Sequence, residues 1–243
     1  MRFPGRDLEA LLGDALPSDH ARQTLADQYI KRAIGRPSRG QWRVLDLGCG
    51  SGSSVDLFRA RDPDVEWIGL DVPDSPEVRT RVRTDARFES FDGTSIPFAD
   101  GSFDLVYCKQ VLEHVRRPRA LLVEVHRVLA PGGCFAGSTS QLEPYHSMSV
   151  WNYTPFGIAT MLQDAALGVI ELRPGIDGLT LVARRLLGRG GWFDRWWERE
   201  SPVNRMVERY GRALRVDVRA LNAAKLVCCG QFAFLAQRNE DES

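Results

Sequence analysis

Three aspartates and one glycine-rich turn hold the first chemistry in this sequence. Val44-Leu45-Asp46-Leu47 runs into Gly48-Cys49-Gly50-Ser51-Gly52, and Asp71 and Asp92 follow at the ends of two further strand-like stretches. Glycine suits such a turn because side chains would block both positive φ angles and the close approach of a ligand. A phosphate site would use a cation or a free helix N-terminus, with no carboxylate beside it. Here no Lys or Arg occurs from Val44 through Phe58, and Asp46 sits two residues before the first glycine. The turn also lacks a Gly-Lys-Ser/Thr ending, and Ser53 breaks the Gly-x-Gly-x-x-Gly pattern. An acidic, glycine-lined turn suits a ligand that carries positive charge. Asp71 lies roughly 20 positions beyond the turn, where an acid grips ribose hydroxyls in nucleotide-binding βαβ units.

These residues need a parallel sheet behind them. Arg43 to Leu47 reads as the first strand and Ser53 to Arg61 as its helix. Val65 to Leu70 is the second strand, ending at Asp71. The short polar stretch from Pro73 to Asp85 leaves room for only a stunted crossover helix, and Arg87 to Ser90 is the third strand. Phe103 to Cys108 is the fourth. Pro118 opens a helix with Leu121, Leu122, Val125, Val128 and Leu129 on one face, and Pro131-Gly132-Gly133 stops it before a fifth strand, Cys134 to Ser138. Thr154-Pro155 caps a helix from Phe156 to Ala165, and Leu167 to Leu172 is the sixth strand. Gln231 to Ala236 closes the chain as the last strand. Upstream, Ser18 or Asp19 could cap a helix over 18–35, with Tyr29 packing or stacking from it, while residues 1–17 read as loosely packed.

S-adenosylmethionine, with its sulfonium and ammonium groups, is a ligand of the required charge, and the string around Gly48 resembles the class I S-adenosylmethionine-dependent methyltransferases, their small-molecule "type 11" group. Three further segments carry the resemblance in the same order: Phe91-Asp92-Gly93-Thr94-Ser95-Ile96-Pro97-Phe98, Leu112-Glu113-His114-Val115, and Arg127-x-Leu129-x-Pro131-Gly132-Gly133. It spans about Val44 to Ser138. It implies that Asp46 with Gly48, Gly50 and Gly52 holds the amino-acid end of the cofactor. Asp71 and Val72 would then meet the ribose, Asp92, Gly93 and Thr94 the adenine, and Gln110 the methionine end. It also implies an α/β three-layer sandwich around a mostly parallel seven-stranded sheet. The last strand (230–237) would run antiparallel between the fifth and sixth, within one domain whose core covers 42–175.

The methyl acceptor must meet the sheet edge after the fifth strand, where Glu143 to Pro155 forms a loop rich in aromatic and hydrogen-bonding groups. Tyr145, His146, Trp151 and Tyr153 are the candidate acceptor contacts. An oxygen acceptor benefits from a base, and His146 and His114 are the candidates, since an unperturbed imidazole titrates near neutrality. Residues 176–225 form a helical insertion before the final strand. Its Trp192, Trp196 and Trp197 beside Arg184, Arg185, Arg189 and Arg195 leave a substrate lid, a homodimer contact, simple packing and an interface-seeking surface open.

A chain of 243 residues, 43% hydrophobic and 26% charged, is ordinary for one globular α/β domain. Formal net charge is zero, so no global field attracts nucleic acid or an anionic membrane. Lys109-Gln110-Val111-Leu112 stands where a nucleic-acid methylating enzyme would carry Asn/Asp-Pro-Pro-Tyr/Phe. No apolar run approaches the ~18 residues of a membrane span, and Met1 to Leu16 lacks the order of a signal peptide, so a cytoplasmic location is expected. The five cysteines form no Cys-x-x-Cys pair and have no His at zinc-ligand spacing, so no metal is expected. The expected function is methyl transfer to a small-molecule, sugar or glycan, or secondary-metabolite acceptor at oxygen. The alternative is a cofactor-binding partner protein without transferase activity.

Overall fold

Strands with apolar residues on both faces need helices above and below them, and the crossovers of this chain supply both layers. The computed structural model describes residues 3–33, 40–188 and 191–239. In chain order the elements are α1 (Arg6–Leu12), α2 (Asp27–Ala33), β1 (Arg43–Leu47), α3 (Ser54–Arg59), β2 (Glu66–Asp71), α4 (Pro76–Arg79) and β3 (Arg87–Ser90). There follow β4 (Phe103–Lys109), α5 (Pro118–Val128), β5 (Leu129–Ser140), α6 (Pro155–Asp164) and β6 (Leu167–Pro174). The chain ends with α7 (Gly178–Leu186), α8 (Gly191–Glu198), α9 (Pro202–Ala213), α10 (Val218–Cys228) and β7 (Gln231–Arg238). Among the described residues the strands form one seven-stranded sheet in the order β3-β2-β1-β4-β5-β7-β6. β7 is antiparallel to both neighbours, and the other pairs are parallel. This is the expected three-layer α/β architecture, with the last strand between the fifth and sixth.

Alternation along β1 sends Leu45 and Leu47 into one layer and Val44 into the other. The first layer packs them against Leu121, Leu122 and Val125 of α5, Ile158 of α6 and Leu226 of α10. The second packs Val44 against Tyr29 of α2, Val55 and Phe58 of α3, and Tyr107 of β4. Each fully buried side chain of this size contributes about 1.5–3 kcal/mol, so β1 is fixed from both sides and its end can serve as a platform. β5 starts earlier than expected. Leu129 pairs with Phe103 and Cys134 with Leu105, so Pro131-Gly132-Gly133 are accommodated by a register shift inside the strand.

Two expectations at the N-terminus are corrected. Residues 1–17 are not loose where they are described: α1 forms, and Leu12 and Leu16 are buried in the main core. The helix expected over 18–35 begins only at Asp27, and positions 34 and 35 lie outside the described residues. Tertiary bonds hold the preceding segment out of a helix. The Thr24 N–H donates to the Pro174 carbonyl at 2.9 Å. Arg173 donates to the His20 carbonyl at 2.9 Å and to Asp19 at 2.6 Å. Asn222 donates to the carbonyls of Pro17 and His20 at 2.9 and 3.0 Å. These side chains satisfy the backbone groups that an early helical turn would otherwise claim. Tyr29 is buried and its hydroxyl bonds Glu171 at 3.1 Å, which makes it a packing residue.

Candidate active site

β1 lies where the strand order reverses, with β2 on one side and β4 on the other, and the crevice beyond the carboxyl ends at such a point is where open α/β sheets bind ligands. Asp46, Asp71 and Asp92 stand at or just past the ends of the neighbouring strands β1, β2 and β3. Asp46 is buried, its carboxylate accepts from the Ser54 hydroxyl, and that hydroxyl in turn accepts from the Trp67 indole N–H at 3.2 Å. Burial first, and the nearby Asp71 charge as a lesser cause, push the Asp46 carboxyl up to about 7 against the pull of Ser54. A carboxylate poised there gains from a cation placed beside it.

Asp71 fastens the glycine turn to β2. One of its oxygens accepts the Gly50 N–H at 2.8 Å and the other the Val72 N–H at 2.7 Å. Its carboxyl is raised by burial, with those two N–H groups opposing. Gly48 N–H donates to Leu70 O at 2.7 Å. Gly48 has φ +75° and a Cβ there would come within 2.3 Å of Val111, while at Gly52, φ +80°, it would meet Phe88 at 2.6 Å. Both positions need glycine for conformation and for space. Asp92 is in a tight turn beyond β3, accepting the N–H groups of Thr94 and Ser95 at 2.8 and 2.7 Å, and these bonds hold its carboxyl below the usual range. Gly93 follows at φ +84°. Gln110, just past β4, adopts φ +56°, uncommon for a residue with a Cβ, and is held there by its N–H on Ser138 O at 3.0 Å.

The loop after β5 meets this edge through Glu113, which the sequence reading left without a role. Glu113 is fully buried; its carboxylate accepts from Thr139 at 2.9 Å and Ser140 at 3.2 Å, and its carbonyl accepts the N–H groups of Val150 and Trp151. Burial raises its carboxyl to about 7. The signal was its place in Leu112-Glu113-His114, next to a histidine already singled out. His114 and His146 come together edge to face with ring centroids 5.4 Å apart. Burial, and then His146, lower the His114 pKa, so its ring is neutral near pH 7. Its Nδ1 is buried without a hydrogen-bond partner among the described residues. Glu113, His114 and His146 bring ligand-type atoms within 4.8 Å of one another, and one Glu113 oxygen is held by the Thr139 hydroxyl at 2.9 Å.

The loop aromatics divide. Tyr145 and Trp151 are exposed, the latter with its indole N–H on Val115 O at 2.9 Å. Tyr153 is buried in the main core with its hydroxyl on Leu112 O at 2.9 Å.

The sheet order and the parallel strands around β1 define a Rossmann-like fold. Residues 45–137 match the methyltransferase domain family. The chain is 35% identical over 159 residues to an uncharacterised methyltransferase of Mycolicibacterium gilvum, an alignment covering 63% of this chain and 60% of that protein. It is 33% identical over 120 residues to a trans-aconitate 2-methyltransferase of Methylobacterium nodulans, covering 49% and 45%. The chain thus spans only 60% of the length of the first of these curated relatives. Among solved structures, a SAM-dependent methyltransferase from Aquifex aeolicus superposes with a TM-score of 0.53 at 14% identity, over 98% of this chain and 100% of that one. The [4+2]-cyclase SpnF superposes with a TM-score of 0.54 at 18% identity, over 96% and 92%. At such identities the likeness is one of fold. Residues 45–137 thus carry the methyltransferase domain, and the solved structures share the fold of the chain. No helix among the described residues is long and apolar enough to cross a membrane.

Proposed function

We propose that this protein transfers a methyl group from S-adenosylmethionine to an oxygen of a small-molecule, sugar or secondary-metabolite acceptor. The observation that carries this reading is the row of Asp46, Asp71 and Asp92 at the ends of adjacent strands, around a turn whose three glycines all hold positive φ. The donor set fits the cofactor. Asp46, with the Gly48–Gly52 turn, takes the cationic amino-acid end. Asp71 keeps lone pairs beyond the two it gives to Gly50 and Val72, enough for ribose hydroxyls. Asp92 keeps its second oxygen for an exocyclic amine, with Gly93 and Thr94 beside it. Gln110 borders the methionine end.

The bound cofactor supplies a methyl carbon on positive sulfur, which leaves readily as a neutral thioether. The chain's own task is to align the acceptor for in-line attack, and alignment supplies much of the rate. His146, at the mouth of the acceptor loop, takes the acceptor's hydroxyl proton, and the neutral His114 ring orients it through their edge-to-face contact. Calorimetric titration with S-adenosylmethionine and S-adenosylhomocysteine, with NAD as control, tests the reading: micromolar binding of the first two and none of NAD is expected. Binding of NAD alone overturns it. With an acceptor in hand, His146→Ala should keep cofactor affinity and lower kcat by about 10²- to 10⁴-fold; unchanged kcat removes the proton role from His146.

A further inference from the structure

We propose that the groove between the acceptor loop and the helical insertion binds an elongated hydrocarbon arm of the methyl acceptor, with an acidic group about 10 Å along it; this rests on the transferase reading above. α7 is two-faced. Leu181 turns inward onto Ile176 and Trp196, and Arg184 pairs with Asp194. On the other face Leu179, Val182 and Leu186 form a stripe at helical spacing, and Leu179 and Leu186 are 69% and 79% exposed. That stripe is one wall of a groove of about 570 Å³ whose other wall includes Leu142, Val203 and Val227. The volume is that of a small-molecule site, and its lining is mainly apolar.

The groove is continuous with the reacting edge. Both β5 and β6 point their carboxyl ends toward it, and α7 starts against the acceptor loop: a Cβ on Gly178 would come within 2.7 Å of the Leu142 Cβ. Glu143 lines its inner end and is fixed by Ser140 and Gln231, both at 2.6 Å. Ser140 also touches Gln110 and Glu113, so one hydrogen-bonded chain links the groove to the cofactor crevice. Among the described residues Arg185 is the only cation in the lining, and it has no ion-pair partner there. Seven residues of helix from Gly178 place it roughly 10 Å from the inner end. An apolar arm therefore lies along the stripe with its anion at Arg185 and its methylated group toward His146. A neutral sugar alone would leave the leucine stripe wet.

The test is a calorimetric titration of the full-length protein with hexanoate, octanoate and decanoate, and with the alcohols of the same lengths. Binding should tighten two- to fourfold per added methylene, and each carboxylate should bind about threefold to fivefold more tightly than its alcohol. Leu179→Glu with Val182→Glu, both at exposed positions, should abolish binding of the series. Arg185→Gln should erase only the carboxylate preference. Affinity independent of chain length, or unchanged in the Leu179→Glu/Val182→Glu protein, overturns the proposal. So does a concentration-dependent dimer dispersed by those two substitutions, which would assign the face to a second copy, or binding to phosphatidylglycerol vesicles without binding of the monomeric series. S-adenosylmethionine affinity, measured in parallel, should be the same in all variants. Its absence in the unmodified protein would sink the transferase reading and leave the groove result standing.

Discussion

One carboxylate oxygen of Asp71, the last residue of β2, accepts the N–H of Gly50 at 2.8 Å, so the end of one strand fixes the turn beyond its neighbour. The proposed ribose ligand is thereby also the clamp on the proposed amino-acid pocket, and damage to it spreads to both.

Asp71→Ala should therefore weaken S-adenosylmethionine binding by more than the ribose contact alone, about 100-fold or beyond. It should also cost about 1–3 kcal/mol of stability, because two backbone N–H groups lose their acceptor. Asp71→Asn, which keeps one acceptor oxygen but turns an NH2 toward the second backbone N–H, should recover only part of the stability and little of the affinity. Calorimetry and thermal unfolding of the pair check this; equal affinity in all three proteins would remove Asp71 from the site.

Asp46 should make cofactor binding pH-dependent. Its carboxyl titrates at about 7 in the ligand-free protein, and a cationic ligand favours the ionised form. Affinity should thus rise with pH, reaching a plateau above 8 and falling about fivefold from pH 7 to pH 6. Asp46→Asn should bind weakly with that dependence flattened. A pH series of dissociation constants for the two proteins is the measurement.

Gly48→Ala should destabilise the fold by about 1–3 kcal/mol, since it forces a Cβ to within 2.3 Å of Val111 at φ +75°. Adding Val111→Ala should relieve the clash but not the backbone strain, so part of the loss returns. Equal unfolding midpoints for the single and double variants would show that the contact is not the cause.

Glu113 sets a pH dependence of stability. Its folded pKa, about 7, lies above the ordinary value of 4.5, so its contribution is fully present below pH 4.5 and is lost as pH rises through 7. Relative to Glu113→Gln, the unmodified protein should lose about 3 kcal/mol between pH 4 and pH 8. Denaturant unfolding of both proteins across that range gives the difference directly. A constant difference would mean that the carboxyl is not buried as described.

Much of the candidate site was legible because it is built from strand ends. A parallel strand reads as an apolar run, its last residue points into the crevice, and the next few residues form the turn. Asp46, Asp71, Asp92 and the Gly48–Gly52 turn therefore announced their places locally, as did β7 by its late Gln-Phe-Ala-Phe-Leu-Ala run. What the sequence left open was settled by partners far away in the chain. The helix expected from residue 18 starts only at Asp27, because Arg173, Asn222 and the Pro174 carbonyl bind the backbone before it. Tyr153 and Trp151 look alike as loop aromatics, and only the tertiary structure puts Tyr153 in the core, its hydroxyl on Leu112 O, and leaves Trp151 exposed. Glu113 became the loop's anchor through Thr139 and Ser140 on another strand. The sequence by itself determined the strands, the turn and its acids, since each depends on neighbours within a few residues. The tertiary structure alone decided the N-terminal path, the fate of the loop aromatics and the groove along α7, since hydrogen bonds and packing between distant segments outweigh local preference there.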